Sequence, residues 1–198
     1  MHSMEKSATT RERRRQETEH RIALCALRLT DEHGLDGFTM EDLADAAEVS
    51  RRTLFNYFPS KLDAVLGNPP EIPPAVMATF HNGGPHGHLV ADLGELVRVI
   101  LDGKDITRDQ MDLGRRVIIG EPRLIVAAHA RFEDITAEFV DVILAREGED
   151  FGADRARLLI RLLVAIFDGC LPHSEHEPER SLADLYDESL RAARELLA

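Results

Sequence analysis

Apolar residues return every three or four positions along almost the whole chain, and the strict alternation of a half-buried strand is nearly absent. From Glu17 to His33, Ile22, Cys25, Ala26 and Leu29, flanked by Leu24 and Leu27, fit one helical face. Gly34 follows as the residue that ends this helix, and Asp36-Gly37 marks a turn. Thr39, with Asp42 three residues on, reads as the N-cap of a short helix that Leu43, Ala44 and Ala47 carry to Ala47. Ser50 caps a second short helix through Tyr57, Pro59 stops it, and Ser60 caps a third that ends near Leu66. Further helices are predicted over 87–102, 107–119, 122–147, 154–171 and 180–197. Leu158 to Phe167 is apolar on nearly every side, which predicts a helix buried all round, either centrally or in a subunit interface. The last helix is amphipathic through Leu182, Leu185, Tyr186, Leu190, Ala193 and Leu197. The fold class is all-α.

Two stretches interrupt the helical pattern. Gly67 to Pro74 holds four prolines within six positions, which cannot continue a helix, so a linker and domain boundary are expected there. A Gly- and His-rich loop, His81 to His88, follows. The expected organisation is a basic flexible arm over 1–15, a compact head over 16–66 and a second helical domain over 67–198.

Composition narrows the class. With 198 residues and 43% hydrophobic content, the chain is long and apolar enough to bury a core, which excludes general disorder. No run of 18 apolar residues spans a membrane, and Met1 to Lys6 lacks the apolar core of a leader, so a cytoplasmic location is expected. The two cysteines, Cys25 and Cys170, fit neither a disulfide framework nor a metal cluster.

Charge first points the wrong way. A net charge of −12 argues against a nucleic-acid partner, because phosphates repel an acidic surface. The acidity is unevenly placed, however. Residues 1–66 hold 10 Lys and Arg against 12 Asp and Glu, while 67–198 hold 14 against 24. In the first third the cations gather at Arg11 to Arg15 and in the window Val49 to Leu62, which contains Arg51, Arg52 and Lys61 and no acid.

That window is also where two short helices, Thr39–Ala47 and Ser50–Tyr57, are separated only by Glu48-Val49, the spacing of a helix-turn-helix whose second helix enters the DNA major groove. In the second helix Leu54 and Phe58, with Val49 and Phe55, are expected to face the core, leaving Arg51, Arg52, Thr53 and Asn56 outward. Arg makes bidentate contacts to guanine and Asn to adenine. Tyr57 and Lys61 are expected to reach phosphates, and Thr39 and Ser50 place helix N-termini whose free N–H groups favour phosphate oxygens. Arg14 and Arg15 of the arm are candidates for the adjacent minor groove.

At these residues the chain resembles the TetR family of bacterial transcription regulators. The stretch Phe38-Thr39 … Ala47-Glu48-Val49-Ser50 … Thr53-Leu54-Phe55-Asn56-Tyr57-Phe58-Pro59-Ser60-Lys61 carries nearly the whole family signature, over residues 15 to 66. The resemblance implies a three-helix DNA-binding head, a linking fourth helix and a variable helical ligand domain. It further implies a homodimer formed through the last two long helices, acting on a two-fold symmetric double-stranded DNA operator, with a small-molecule effector releasing a repressor. Three positions depart from the pattern. Glu48 stands where Gly is frequent and where a positive φ would be less comfortable. Phe55 replaces a frequent Tyr. Pro69 to Pro74 cut the fourth helix short, so a signal from the ligand domain is expected to reach the head by another contact.

The resemblance places a ligand pocket among the middle helices, with Met111, Arg115, His129, Phe132 and Phe167 as candidate effector contacts. His81, His86 and His88, and separately His173 and His176, lie in Gly- or Pro-rich loops without preset metal-ligand spacing, so no metal is expected. Core filling is expected of Cys25, and Cys170 lies near the end of the buried helix. No nucleophile elbow, phosphate loop, zincin motif or recognisable carboxylate pair appears, so neither enzymatic activity nor a cofactor is expected. The alternative is a helical interaction protein whose head does not bind DNA, supported by Glu48 and the overall acidity.

Overall fold

A computed structural model describes residues 2–69, 71–102, 107–176 and 180–197, with the side chains of 2–12, 108, 171–176 and 197 left aside. Among the described residues the chain forms ten α-helices and one 3-10 turn, with no strand, as the pattern predicts. The helices are α1 (His2–His33), α2 (Met40–Ala46), α3 (Arg51–Tyr57), α4 (Lys61–Leu66), α5 (Pro74–His81), α6 (Leu89–Asp102), α7 (Arg108–Gly120), α8 (Pro122–Glu147), α9 (Ala153–His176) and α10 (Leu182–Leu197).

The chain divides into two compact units, and the division is not the contiguous one expected. The first unit is Met1–Pro69 together with Asp109–Ala130, and the second is Pro70–Arg108 together with Arg131–Ala198. One break between the two units follows Pro69, within the proline-rich stretch. The assignment of all of 67–198 to one domain is corrected, because α7 and the start of α8 join the first unit. Val117 and Leu124 are buried in the same cluster as Ile22, Ala26, Leu43, Leu54, Phe58, Ala64 and Val65.

Within the first unit, α1 ends where Gly34 takes φ 72° and its N–H bonds the Thr30 carbonyl at 2.9 Å. Gly37 is required in the next turn, since a Cβ there would lie 2.1 Å from the His33 carbonyl oxygen. At its other end α1 begins at His2, so residues 2–15 of the expected flexible arm are helix instead. No Gly or Pro interrupts residues 1–33, and Arg13 pairs with Glu17 one turn on at 3.3 Å. After α4, Gly67 turns the chain at φ 65°. Pro74 then opens α5 at the first helical position, where its missing N–H costs nothing. The helix α5 was not expected from the sequence, although Val76, Met77 and Phe80 follow at helical spacing.

The second unit packs α5, α6, residues 131–147 of α8, α9 and α10 around Phe80, Leu93, Leu96, Val140, Ile143, Leu163, Tyr186 and Leu190. Gly94 lets α6 approach α10, for a Cβ there would meet the Leu190 side chain at 2.7 Å. This core holds an ion pair: Asp92 and Arg146 have side-chain exposures of 0% and 4%. The His86 N–H donates to Asp92 Oδ1 at 2.6 Å, and the Arg146 guanidinium lies 4.5 Å from the Phe80 ring centroid. Burial pushes the Asp92 carboxyl up, but the hydrogen bonds from Arg146 and His86 and the charge of Arg146 outweigh it and hold it below its ordinary value.

The prediction that Leu158 to Phe167 is buried all round does not hold within one chain. Leu163 is buried, whereas Leu158 and Leu162 are 59% and 43% exposed. Cys170 is buried, its thiol donating to the Ile166 carbonyl at 3.1 Å. His173 and His176 lie outside the residues whose side chains are described. Among the described residues, no helix is long and apolar enough to cross a membrane, and no cluster of three or more His, Cys, Asp and Glu is arranged to hold a metal.

Candidate nucleic-acid interface

Three caps set the geometry of the head. Thr39 Oγ1 accepts from the Asp42 N–H at 3.1 Å, while Asp42 Oδ2 accepts from the Thr39 N–H and from its hydroxyl, both at 2.8 Å. This capping box fixes the start of α2, and the Thr39 N–H and hydroxyl hold the Asp42 carboxyl below its ordinary value. Ser50 Oγ accepts from the Thr53 N–H at 3.0 Å and lies 2.7 Å from Thr53 Oγ1, so the two hydroxyls are tied to each other. Ser60 Oγ accepts from the Asp63 N–H at 3.2 Å and donates to Asp63 Oδ2 at 2.6 Å.

Between α2 and α3 the chain reverses through Glu48, the one non-glycine residue with positive φ (52°) among those described. The strain anticipated at that position is therefore present. The Val49 N–H bonds the Ala44 carbonyl at 3.0 Å, and the Val49 side chain packs against the core of the first unit.

Leu54 of α3 and Phe58, which caps the end of that helix, are buried one turn apart. Arg51, Arg52 and Asn56 are exposed, and Thr53 and Tyr57 are half-buried. Phe55, expected in the core, is 42% exposed. It stands one turn after Arg51 on the outward face, and the Arg51 guanidinium lies 5.6 Å from its ring centroid. Tyr57 is partly buried and packs against the core of the first unit. The exposed set of two guanidiniums, a carboxamide and an aromatic ring has the donor chemistry that reads base edges and backbone phosphates.

Lys61 does not stand free at the end of α3. Its ammonium donates to the Leu35 carbonyl at 2.6 Å and the Phe38 carbonyl at 2.7 Å, and it lies 4.9 Å from the Phe38 ring centroid. Two of its three donors thus hold the turn that enters α2. Arg14 and Arg15 lie exposed on α1, with the Arg14 carbonyl accepting from the Thr18 hydroxyl at 2.9 Å.

Sequence reasoning missed three features. Glu41, in the first turn of α2, pairs with Arg51 at 2.7 Å. The other two are bidentate clamps from the α7–α8 corner, one to the last turn of α1 and one to the segment between α1 and α2. Arg116 holds both oxygens of Asp31 at 3.0 Å. Arg123 holds those of Asp36 at 3.0 and 2.9 Å, with Glu121 bonding the same guanidinium. These hydrogen bonds hold Asp31 and Asp36 below their ordinary values. Of the candidate effector contacts, Met111, Arg115 and His129 belong to the first unit, and Phe132 and Phe167 to the second, so neither unit collects all five. Arg115 and His129 are exposed, whereas Phe167 packs into the second core.

Known proteins match this region. Residues 25–65 fit the family model of bacterial regulatory proteins, tetR family. A putative mycofactocin biosynthesis transcriptional regulator, MftR, of Mycobacterium tuberculosis (strain ATCC 25618 / H37Rv) is 45% identical over 49 residues, 25% of this chain and 25% of that protein. The chain therefore matches only a quarter of that curated relative's length.

Proposed function

Because residues 25–65 match the family model of bacterial regulatory proteins, tetR family, we propose that the protein is a cytoplasmic DNA-binding transcription regulator rather than an enzyme. One observation carries the reading most directly: α3 buries Leu54 and Phe58 while presenting Arg51, Arg52 and Asn56 to solvent. A helix of that construction fits the major groove, its apolar side fixed and its polar side able to meet base edges. Arg52 and Asn56 read bases, Arg51 and Tyr57 meet the backbone, and Thr39, Ser50 and Thr53 hold the two helices in register.

The protein acts as a homodimer on a palindromic operator. The exposed pair Leu158 and Leu162, one turn apart on α9, supports a self-association surface on the second unit. It is a repressor released by a small-molecule effector. The two Arg–Asp clamps on the segment before α2 support a route by which the α7–α8 corner steers the head, in place of a fourth helix of only six residues.

Selection of duplexes from a random pool, followed by titration of the selected site, tests the reading. Binding should be tight, salt-dependent and specific to a two-fold symmetric sequence. Arg52→Ala should cost about 1–3 kcal/mol on that site and relax its specificity. Absence of any salt-dependent DNA binding sinks the proposal and favours a helical interaction protein.

A further inference from the structure

The two adjacent arginines of α3 are not equivalent. Arg52 is exposed and makes no ion pair among the described residues, so its donors are available to DNA. The Arg51 Nη1 lies 2.7 Å from Glu41 Oε1, and its guanidinium covers the Phe55 ring. Both partners of the ion pair remain more than half exposed, at 67% and 54% of their side chains, so the pair is open to exchange. Like a phosphate, the carboxylate offers the Arg51 guanidinium a pair of anionic oxygen acceptors.

We propose that Glu41 is a specificity-determining residue that competes with DNA phosphate for the Arg51 guanidinium. This rests on the reading of α3 as the DNA-contacting helix. In a loose complex on arbitrary sequence, Arg51 stays with Glu41, and the head engages one phosphate fewer. On its cognate site the base contacts of the neighbouring residues hold the helix close enough for phosphate to displace the carboxylate. Glu41 thereby lowers affinity for non-cognate DNA more than for the operator, through a single side chain rather than through the acidity of the chain at large.

The test uses the full-length protein with two probes, a random-sequence duplex and the best duplex that the wild type selects from a random pool. Glu41→Gln keeps the size of the side chain, removes its charge and leaves the Thr39–Asp42 capping box intact. It should tighten binding to the random duplex about threefold. The plot of log affinity against log salt should steepen by about 0.9, the contribution of one further phosphate. Affinity for the selected duplex should rise less, so the ratio of the two affinities falls. In an Arg51→Gln background, Glu41→Gln should have no effect on either duplex. Unchanged or weaker random binding in Glu41→Gln overturns the proposal, as does a gain that persists without Arg51, which would make Glu41 a plain repeller of phosphate. A wild type that binds neither duplex overturns the DNA reading and this proposal together. A wild type that binds both, with no gain in the variant, overturns this proposal alone.

Discussion

Replacing Lys61 by Met separates two roles that the sequence alone confounds. The side chain keeps its length and most of its apolar stem but loses the ammonium that bonds the Leu35 and Phe38 carbonyls at 2.6 and 2.7 Å. Those carbonyls belong to residues only 3% and 4% exposed, so water replaces the lost donors poorly. A hydrogen bond to a charged group contributes about 1.5–3 kcal/mol, and the contact with the Phe38 ring about 0.5–1 kcal/mol. Because Lys61 is only half-buried, the lower ends apply, and restored Met packing offsets part of the loss. The head should be destabilised by about 2–3 kcal/mol. Native-state hydrogen exchange reads this best, since a two-unit chain need not unfold in a single step. Amides of α2, α3 and α4 that open with the head should exchange about 30- to 160-fold faster. If their protection is unchanged, while DNA affinity drops and the salt slope flattens by about one phosphate, the ammonium serves DNA and the structural assignment is wrong.

Other perturbations follow from the same geometry. Glu48→Gly should raise the stability of the head by about 0.5–1 kcal/mol, because relief of the strained φ exceeds the entropy glycine adds to the unfolded chain; a lowered melting temperature contradicts it. Asp92→Asn leaves the Arg146 guanidinium buried without its counter-charge and should cost the second unit about 3–5 kcal/mol in urea unfolding, whereas a loss below about 1 kcal/mol shows that the pair is not what holds α6 to α8. Asp31, Asp36, Asp42, Asp92 and Glu121 all have lowered pKa values in the folded chain. Their contribution is complete above the unfolded carboxyl value of about 4 and is lost as pH falls through the lower folded values. Melting temperature should therefore be nearly flat from about pH 7 to 5 and fall steeply below about 4; a decline that begins near pH 6 refutes the assignment to these carboxylates. Burial raises the pKa of Tyr186, so its contribution is present below the unfolded phenol value of about 10 and is lost as pH climbs beyond it.

What was legible in the sequence was mostly local. Thr39 with Asp42, Ser50 with the Thr53 N–H, and Ser60 with Asp63 each act over three residues, so cap chemistry located the three short helices within a residue or so. Leu54 and Phe58 were legible because a four-residue spacing on a capped helix allows one common face. Phe55 was misplaced because an aromatic ring next to that face looks equally apolar; only the tertiary arrangement puts it outside, beneath Arg51. The α7–α8 return was hidden for a different reason. Arg116 and Asp31 are 85 positions apart, and no local period records that they meet. Leu158 and Leu162 show the limit of periodicity itself, since an all-apolar segment does not reveal which of its faces one chain leaves open.

Charge was the hardest quantity to interpret, because a count of cations does not say how many remain available. The window Val49 to Leu62 contains Arg51, Arg52 and Lys61 and no acid, which makes it look like the electropositive heart of the head. Folding brings an acid to it from outside the window, as Glu41 meets Arg51. It also commits Lys61 to backbone carbonyls. Arg52 is then the cation of that window with no such engagement among the described residues. An interface with so few free charges gains little from counterion release alone, and each phosphate contact it lacks flattens the salt dependence. On the reading proposed for α3, discrimination comes from base contacts on that helix and from the exchange of Glu41 for phosphate at Arg51. Under the same proposal, the acidity of the rest of the chain acts in the same direction, by repelling the phosphates of arbitrary DNA.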